Sequence, residues 1–310
     1  MREHKTLLYG AHFVVIGFFF FLVQVLDAVL GGFPTAVFPP GLALKLTNGF
    51  FLAGAALTAL DLLISAVLPV KKTLLFSPVA EPRISVGMTA YNDELSIGAA
   101  ARDFLSQKDV VSVIVVDNNS ADGTTQEGLA AGAKVVRETV QGYGACCMRA
   151  LKEAMKAGDV ICLVEGDCTF TGSDLKKLTA YLENADMVLG TRTTKELNTP
   201  DSQLNTAIHW GNVLMAKLMQ LRFLTVRLTD MGCTFRVIRK SALEKIIDQL
   251  EVTGNHFSCE MILVALKNNL MVIEIPVTLK KRVGESKGVG GNFFKASVTA
   301  IDMWRLIVFK

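Results

Sequence analysis

Two acidic side chains one residue apart follow an apolar run near the middle of the chain. Residues 160–164 are β-branched or apolar, and Glu165 and Asp167 come directly after them. Such a run predicts a strand buried on both faces, so both carboxylates would emerge where the strand ends. Mg²⁺ and Mn²⁺ take hard oxygen ligands and usually keep substrate phosphates in their shell. An acidic turn alone is a weak signal, but at the end of a buried strand it predicts a metal site for a diphosphate.

Three more polar segments stand at the ends of predicted strands. These strands are predicted at residues 83–89, 110–116 and 187–190. A further short strand is predicted at 133–136, and helices are predicted at 95–106 and 144–157. The polar segments are residues 90–94, 117–124 and 190–192. Strands that alternate with helices predict an α/β fold with a mostly parallel sheet, whose ligands bind at the carboxyl ends of the strands. The chemistry should therefore lie in these loops.

The first seventy residues have a different character. Residues 7–30 contain Asp27 as their only formally charged residue, and residues 46–70 contain only Asp61. Each run is long enough to cross a bilayer, and the prolines and glycines between the two runs make a turn-rich break. We expect a transmembrane hairpin within residues 1–75 and a catalytic domain over residues 76–290. Residues 291–310 would form an amphipathic helix on the membrane surface, with an ordinary core helix as the alternative.

Basic residues predict the orientation of this hairpin. Arg2 and Lys5 precede the first span, and Lys71 and Lys72 follow the second, whereas the loop between the spans has no basic residue before Lys45. The positive-inside rule then places both ends of a two-span membrane protein, and its catalytic domain, in the cytosol.

Three small or acidic residues of the second span bear on its packing. An ionised carboxylate at Asp61, well inside the span, would cost about 2.5–3.5 kcal/mol. It would face a helix partner or the polar head of a lipid substrate, or else stay protonated or reach local water. Ala55 and Ala59 favour close helix packing, and through it a homo-oligomer.

Composition argues against other classes of protein. The net charge of +3 is too small to indicate a nucleic-acid partner. The six cysteines form no Cys-x-x-Cys pair, and no histidine lies at zinc-finger spacing from them. They are interpreted as small buried hydrophobic residues in a reducing compartment.

The ordered polar blocks resemble one enzyme family. They read Ala-Tyr-Asn-Asp-Glu from Ala90, Val-Asp-Asn-Asn-Ser-Ala-Asp-Gly-Thr from Val116, Gly-Tyr-Gly-Ala from Gly142, Glu-Gly-Asp from Glu165, Gly-Thr-Arg from Gly190, Thr-Asp-Met-Gly-Cys-Thr-Phe-Arg from Thr229 and Arg-Val-Gly-Glu-Ser-Lys from Arg282. Over roughly residues 83–290 the chain resembles the family 2 glycosyltransferases of the GT-A fold. Within them it is similar to the dolichyl-phosphate mannose synthase and polyprenyl-phosphate sugar transferase group.

This resemblance implies a Rossmann-like sheet and a reaction. A hexose would pass, with inversion, from a GDP- or UDP-linked sugar to a polyprenyl or dolichyl phosphate, with Mg²⁺ or Mn²⁺ as the cofactor. A lipid phosphate is already anionic at neutral pH, so its oxygen can attack without a protein base. The site must then supply positive charge for two anions.

The resemblance also implies residue roles. Donor binding is implied for Ala90, Tyr91, Asn92, Asp93, Glu94, Asp117, Asn119, Gly142, Glu165 and Gly166. Metal binding is implied for Glu165, Asp167 and Thr169, the last of which stands where some members have a glutamine. Arg192, Arg282 and Lys287 would be the cations for the diphosphate and the acceptor phosphate. Asp230 would lie near the sugar, and Asp167 completes the catalytic set.

Departures from the family pattern leave alternatives open. Glu165 replaces an aspartate, Asn118 and Asn119 replace the common Asp-Gly of the nucleoside loop, and the membrane helices precede the catalytic domain. Arg282 and Lys287 could instead belong to a basic patch at the membrane surface. The alternative functions are transfer to another membrane lipid or a growing polysaccharide, and a non-catalytic nucleotide-binding partner subunit. The Gln-x-x-Arg-Trp block of processive members is absent, and the intact acidic pair argues against a non-catalytic role.

Overall fold

The computed structural model describes residues 2–30, 41–67, 75–202, 206–224, 226–285 and 292–310. They form two compact units. One comprises Arg2–Lys72 with Leu221–Leu224, and the other comprises Thr73–Gln220 with Thr225–Lys310.

Two long apolar helices make up most of the first unit. Helix α1 spans Lys5–Leu30 and α2 spans Leu42–Val67, and both are long and apolar enough to cross a membrane. Their outer faces expose large apolar side chains, which a core helix of a soluble protein would bury. The second helix begins four residues before the predicted span. It therefore includes Lys45, an exposed residue of the first turn whose long side chain can extend to the polar interface.

Glycines bring these two helices together. A Cβ atom at Gly54 would lie 2.9 Å from the carbonyl oxygen of Gly10, so only glycine permits this approach. The rings of Phe20 and Phe50 also stack between the two helices, with centroids 5.8 Å apart. Ala55 and Ala59 are exposed on the outer surface of the hairpin. The homo-oligomer inferred from them stays a prediction.

Asp61 faces the amino-terminal end of α1. It is 2% exposed, and its Oδ1 lies 2.7 Å from Nδ1 of His4. Its Oδ2 accepts hydrogen bonds from the Thr6 hydroxyl at 2.5 Å and the Leu7 amide at 3.3 Å. Of the interpretations weighed from the sequence, the structure favours the one in which this carboxylate contacts a partner helix.

The second unit has a sheet at its centre. Its described strands are β1 Ile84–Ala90, β2 Val110–Asp117, β3 Lys134–Arg137, β4 Val160–Glu165, β5 Met187–Thr191, β6 Arg236–Arg239 and β7 Val272–Pro276. They form one sheet in the order β3-β2-β1-β4-β6-β5-β7. Only β6 runs antiparallel to its neighbours, so the predicted mostly parallel α/β sheet is confirmed.

Helices connect these strands. They are α3 Ile97–Leu105, α4 Thr124–Ala130, α5 Tyr143–Ala154, α6 Leu175–Ala180, α7 Thr206–Arg222, α8 Lys240–Ile246, α9 Phe257–Lys267 and α10 Phe293–Phe309. The predicted helix at residues 144–157 ends three residues early, and the other strands and helices predicted in this unit lie within two residues of their expected bounds. The elements from α7 to β7 were not assigned from the sequence.

The carboxy-terminal helix α10 has two different faces. Thr299, Met303 and Ile307 are buried on one side, where the helix packs on α9. Phe294 and Ile301 are exposed on the other side. Val308, near the end of the helix, is also buried, although the amphipathic pattern of residues 291–310 predicts it on the membrane-facing side. The exposed apolar stripe is therefore narrower than expected.

Candidate active site

The predicted loops meet at one edge of the sheet. Glu165 is the last residue of β4 and pairs with Thr89 of β1, and Ala90 pairs with Asp117 at the end of β2. Because β6 runs the opposite way, the loop that enters it reaches the same edge. This loop carries Asp230 and Thr234, and the topology thus adds it to the site.

The acidic pair is only partly satisfied. Thr234 Oγ1 donates to Glu165 Oε1 over 2.9 Å, and Thr169 donates to Asp167 Oδ1 from its hydroxyl at 2.5 Å and its amide at 3.0 Å. Arg282 Nη2 lies 3.3 Å from Asp167 Oδ2. Nevertheless, within the part of the chain that the structure describes, this buried Oδ2 accepts no hydrogen bond. A buried carboxylate oxygen without a hydrogen-bond donor is typical of a ligand atom for a cation.

The electrostatics of the pair agree with a cation site. Burial and the nearby charge of Asp167 raise the pKa of Glu165 to about 7, although Arg282 opposes the shift. A bound divalent cation would favour the ionised form. Among the described residues, no group of three or more His, Cys, Asp and Glu side chains could hold a metal. A pair of carboxylates is nevertheless a common protein contribution to a Mg²⁺ site.

Arg192 and Asp230 form a buried forked ion pair. Arg192 donates to Asp230 from its amide at 3.0 Å, and from Nε and Nη2 at 2.8 Å each. Burial alone would raise the pKa of Asp230, but the charge and hydrogen bonds of Arg192 hold it below its usual value. Arg192 had been predicted as a phosphate ligand. In this structure its charge is matched by Asp230.

A second acidic residue fixes the loop that carries Asp230. Both carboxylate oxygens of Glu274 accept hydrogen bonds from the Thr229 amide, at 3.0 and 2.7 Å, and Glu274 Oε1 also accepts from the Asp230 amide at 2.9 Å. Glu274 lies on β7, at one edge of the sheet. The loops predicted to hold the nucleoside, residues 90–94 and 117–124 (the nucleoside loops), follow β1 and β2 instead. The sequence alone assigned Glu274 no role. It fixes the position of the Arg192–Asp230 pair.

The two predicted nucleoside loops are hydrogen-bonded to each other. The Asn92 amide donates to the Ser120 hydroxyl at 2.9 Å, and Asn92 Oδ1 accepts from the Ala121 amide at 2.8 Å. Asp93 Oδ2 accepts from the Tyr91 amide, and Glu94 Oε2 accepts from the Gly123 amide at 2.8 Å. Much of the polarity of residues 90–94 therefore shapes the loops. Tyr91 is 38% exposed beside them.

Asp117 and its neighbours organise the rest of the donor side. Asp117 accepts from the Ser120 amide at 2.8 Å and the Thr125 hydroxyl at 2.5 Å. Asn118 is buried, and its Oδ1 accepts from the Gly142 amide at 2.9 Å. Asn119 has φ of 63°, a conformation that glycine adopts more readily. Asparagine tolerates this left-handed conformation better than most other residues that carry a side chain.

Gly142 needs to be glycine for two reasons. Its φ is 147°, and a Cβ atom there would lie 2.4 Å from the carbonyl oxygen of Thr253. Gly166 is similarly confined, since its Cβ atom would lie 2.4 Å from Ile97 Cδ1. These two predicted donor-site glycines allow close approach of the loops around the site.

The structure brings most of the predicted residues to this edge and adds others. Asp167 directly contacts Thr169 and Arg282, and Glu165 accepts its hydrogen bond from Thr234. Lys287 lies outside the described residues. Sequence reasoning missed the hydrogen bond of Thr234 to Glu165 and that of Tyr143 to Thr234, although both residues stand in the motifs that carry the family resemblance. No spacing rule relates Thr234 to Glu165, because 69 residues separate them.

The family model named glycosyl transferase family 2 matches residues 85–247, just over half of the chain. The chain is a family 2 glycosyltransferase. The predicted family is thus confirmed, and the enzyme can be compared with its relatives.

Two relatives from Haloferax volcanii are similar to the enzyme. It is 31% identical over 208 residues to a dolichyl-phosphate hexose transferase, covering 66% of this chain and 86% of that one. It is 30% identical over 210 residues to the low-salt glycan biosynthesis hexosyltransferase Agl6, covering 66% of this chain and 49% of that longer protein.

The fold also has solved counterparts. Glucosyl-3-phosphoglycerate synthase from Mycobacterium tuberculosis, crystallised with Mn²⁺, UDP and phosphoglyceric acid, superposes with a TM-score of 0.58 at 17% identity. The superposition covers 74% of this chain and 80% of that one. At this identity the likeness shows a shared fold, which confirms the GT-A assignment.

Proposed function

We propose that the enzyme transfers a hexose from a nucleotide-sugar to a polyprenyl phosphate at the cytosolic face of a membrane. One observation carries the proposal. The paired carboxylates of Glu165 and Asp167 stand at the sheet edge, with a buried Asp167 oxygen that accepts no hydrogen bond among the described residues. Such a pair suits a nucleoside diphosphate and its metal. The similarity to a dolichyl-phosphate hexose transferase supports the lipid acceptor.

Glu165 and Asp167 would hold Mg²⁺ or Mn²⁺, with Thr169 orienting Asp167 or joining the ligand set. The metal would neutralise charge on the leaving diphosphate. Thr169 fixes one oxygen of Asp167 through two hydrogen bonds, which leaves the other oxygen for the cation. The donor set therefore fits a hard divalent ion.

The state of Asp230 supports an acceptor that needs no base. A general base must be free to take a proton, but Asp230 accepts three hydrogen bonds from Arg192 and one from the Gly232 amide at 3.1 Å. Its lowered pKa makes it a poor proton acceptor. A lipid phosphate is ionised at neutral pH and can attack the anomeric carbon directly, with inversion.

We assign the acceptor phosphate to Arg282, together with Lys287. The Arg282 side chain is 20% exposed and lies beside Asp167, so its guanidinium is close to the reacting groups and open on one side. A guanidinium can make forked contacts with phosphate oxygens, which an ammonium cannot. These residues therefore serve the acceptor rather than a general basic patch.

We assign the membrane contacts to α1, α2 and the exposed face of α10. The basic residues that flank the hairpin favour a cytosolic catalytic domain. Phe294, Val298 and Ile301 on α10 form an apolar stripe, with Arg305 exposed beside them, which suits insertion among lipid head groups.

A matrix of donors and acceptors tests the proposal. Purified enzyme in detergent would be given radiolabelled GDP- and UDP-sugars with polyprenyl phosphate, polyprenol or a soluble oligosaccharide, in Mg²⁺, Mn²⁺ or a chelator. We expect transfer to polyprenyl phosphate alone, and only with metal. Arg282→Ala should abolish this transfer while nucleotide-sugar binding, measured by calorimetry, survives, and Arg282→Lys should be partly active. Equal transfer to polyprenol would refute the lipid-phosphate assignment.

A further inference from the structure

A chain of hydroxyl groups ends on Glu165. Thr234 is 2% exposed and donates its only hydroxyl proton to Glu165 Oε1 over 2.9 Å. The Tyr143 hydroxyl is hydrogen-bonded to the same Thr234 oxygen. Because the Thr234 proton is committed to the carboxylate, Tyr143 must be the donor to Thr234. The order of donation is therefore Tyr143 to Thr234 to Glu165.

The backbone of Thr234 is held by a buried cation. Arg236 is 1% exposed, and its Nε donates to the Thr234 carbonyl at 3.2 Å. Its Nη1 donates to the Ser258 carbonyl at 3.3 Å, and its Nη2 donates to the Cys233 carbonyl. A guanidinium with fixed donors on three carbonyls leaves this turn little freedom. The Thr234 hydroxyl is therefore presented to Glu165 from a rigid support.

The other end of the chain reaches the donor side of the site. Tyr143 is the first residue of α5 and directly follows Gly142. The Gly142 amide donates to Asn118, which follows Asp117 in the predicted nucleoside loop. A connected path of hydrogen bonds and one peptide link thus runs from the nucleoside loop to the acidic pair.

We propose that Tyr143 and Thr234 are positioning residues that orient Glu165 for a divalent cation and connect it to the nucleoside loop. The proposal rests on the metal site assigned above. Glutamate has one more rotatable bond than the aspartate common in this family, so its carboxylate needs an added restraint to point at a metal. The Thr234 hydrogen bond on Oε1 supplies that restraint and leaves Oε2 available.

Direct metal binding tests this role. The dissociation constant of Mn²⁺ would be measured by electron paramagnetic resonance, alone and with GDP or UDP. Groups that orient metal ligands typically contribute about 10- to 100-fold to metal affinity, so Thr234→Val should weaken Mn²⁺ binding about tenfold or more. Thr234→Ser keeps the hydroxyl and should stay close to wild type. Tyr143→Phe should weaken binding less, and mainly with the nucleotide present.

A matched substitution separates this role from general damage. Thr179→Val removes a hydroxyl that, among the described residues, bonds within α6 to the Leu175 and Lys176 carbonyls, and it should leave Mn²⁺ affinity unchanged. Thermal unfolding in chelator identifies any variant that fails to fold. If Thr234→Val does not fold, the Mn²⁺ affinities of Tyr143→Phe and Thr234→Ser are compared with wild type instead.

The possible results separate a wrong metal site from a wrong role for Tyr143 and Thr234. If wild type binds no Mn²⁺ with or without nucleotide, the proposed metal site itself is wrong. If wild type binds Mn²⁺ and folded Thr234→Val and Tyr143→Phe bind it equally well, the positioning role is refuted. Loss in Thr234→Val with recovery in Thr234→Ser supports it.

Discussion

Arg282 and a divalent cation should compete for Asp167. The Arg282 guanidinium lies 3.3 Å from the Asp167 oxygen that accepts no hydrogen bond among the described residues. A metal bound to that oxygen must displace the arginine or share the carboxylate with it. Arg282→Ala removes the competitor and its repulsion of the metal. We therefore expect the variant to bind Mn²⁺ more tightly while it loses transfer to the lipid.

The size of this effect follows from the geometry. At 3.3 Å and an effective dielectric constant of about 20, Coulomb's law gives a gross attraction of about 5 kcal/mol. Arg282 is 20% exposed, so solvent offsets much of this value. The net contribution lies between the roughly 0.5 kcal/mol of exposed pairs and the roughly 3 kcal/mol of buried ones, at about 1–2 kcal/mol. At about 1.4 kcal/mol per factor of ten, Mn²⁺ affinity should rise about 5- to 30-fold.

The assay is a Mn²⁺ titration of purified protein in detergent without nucleotide, with free Mn²⁺ followed by electron paramagnetic resonance. Lys281→Ala is the matched control, since Lys281 neighbours Arg282 but is 61% exposed and lies 3.9 Å from Asp201 instead. It should change the affinity less than twofold or so, because an exposed charge is screened. Arg282→Lys should fall between the two alanine variants.

One result would refute this reasoning. If Arg282→Ala binds Mn²⁺ as weakly as wild type, or more weakly, the arginine does not occupy the metal position. An equal rise in Mn²⁺ affinity for Lys281→Ala would instead indicate that the positive charges around residue 282 repel the metal collectively, without direct competition by Arg282.

Three further predictions concern other parts of the chain. Asp167→Asn should lower kcat at least about 100-fold in the transfer assay, since it weakens charge stabilisation of the leaving diphosphate. A cysteine at Thr35 should react with an impermeant reagent outside intact cells, whereas one at Ser77 should not, because the basic flanks favour a cytosolic domain. Lys310→Met should lower the free energy of unfolding by about 1–3 kcal/mol in denaturant titration, because it leaves buried Glu260 without the ammonium 2.5 Å away.

Each of these predictions has a control or a contrary outcome. Wild-type turnover undiminished in excess chelator would contradict the metal role of Asp167. Labelling at Ser77 but not at Thr35 would reverse the topology. Lys295→Met removes an exposed charge from α10, the helix that Lys310 directly follows. An equal loss of stability in both lysine variants would show that the Glu260 contact contributes little.

Local patterns in the sequence determined much of the fold and the nature of the site. The apolar run before Glu165 predicted a buried strand with carboxylates at its end, and the structure ends β4 at that residue. This works because burial on both faces of a parallel sheet requires continuous apolar residues, whereas the strand ends remain free for polar ones. The two long apolar helices were predicted from composition, because a helix that crosses a bilayer also requires a continuous apolar run. The ordered motifs identified the family.

The elements from α7 to β7 were not assigned from the sequence, and among them β6 matters most for the site. Strand β6 has four residues, too few to show a clear alternation of polar and apolar positions. It is also the one described strand that runs antiparallel to its neighbours. Its pairing with β4 and β5 is what brings Thr234 to Glu165. Asp230 was predicted near the sugar, but its partner Arg192, 38 residues earlier, emerged only from the packing of two loops.

The tertiary structure alone decided which polar groups are already engaged. Arg192 and Asp230 were both assigned to substrate, yet they bind each other, and Glu274 from β7 fixes their loop. Hydrogen bonds between groups dozens of residues apart depend on strand order and register, which no single segment encodes. Residue types and spacing therefore predicted the metal chemistry of Glu165 and Asp167, whereas the folded chain decided that Thr234 and Arg282 are the groups that contact them.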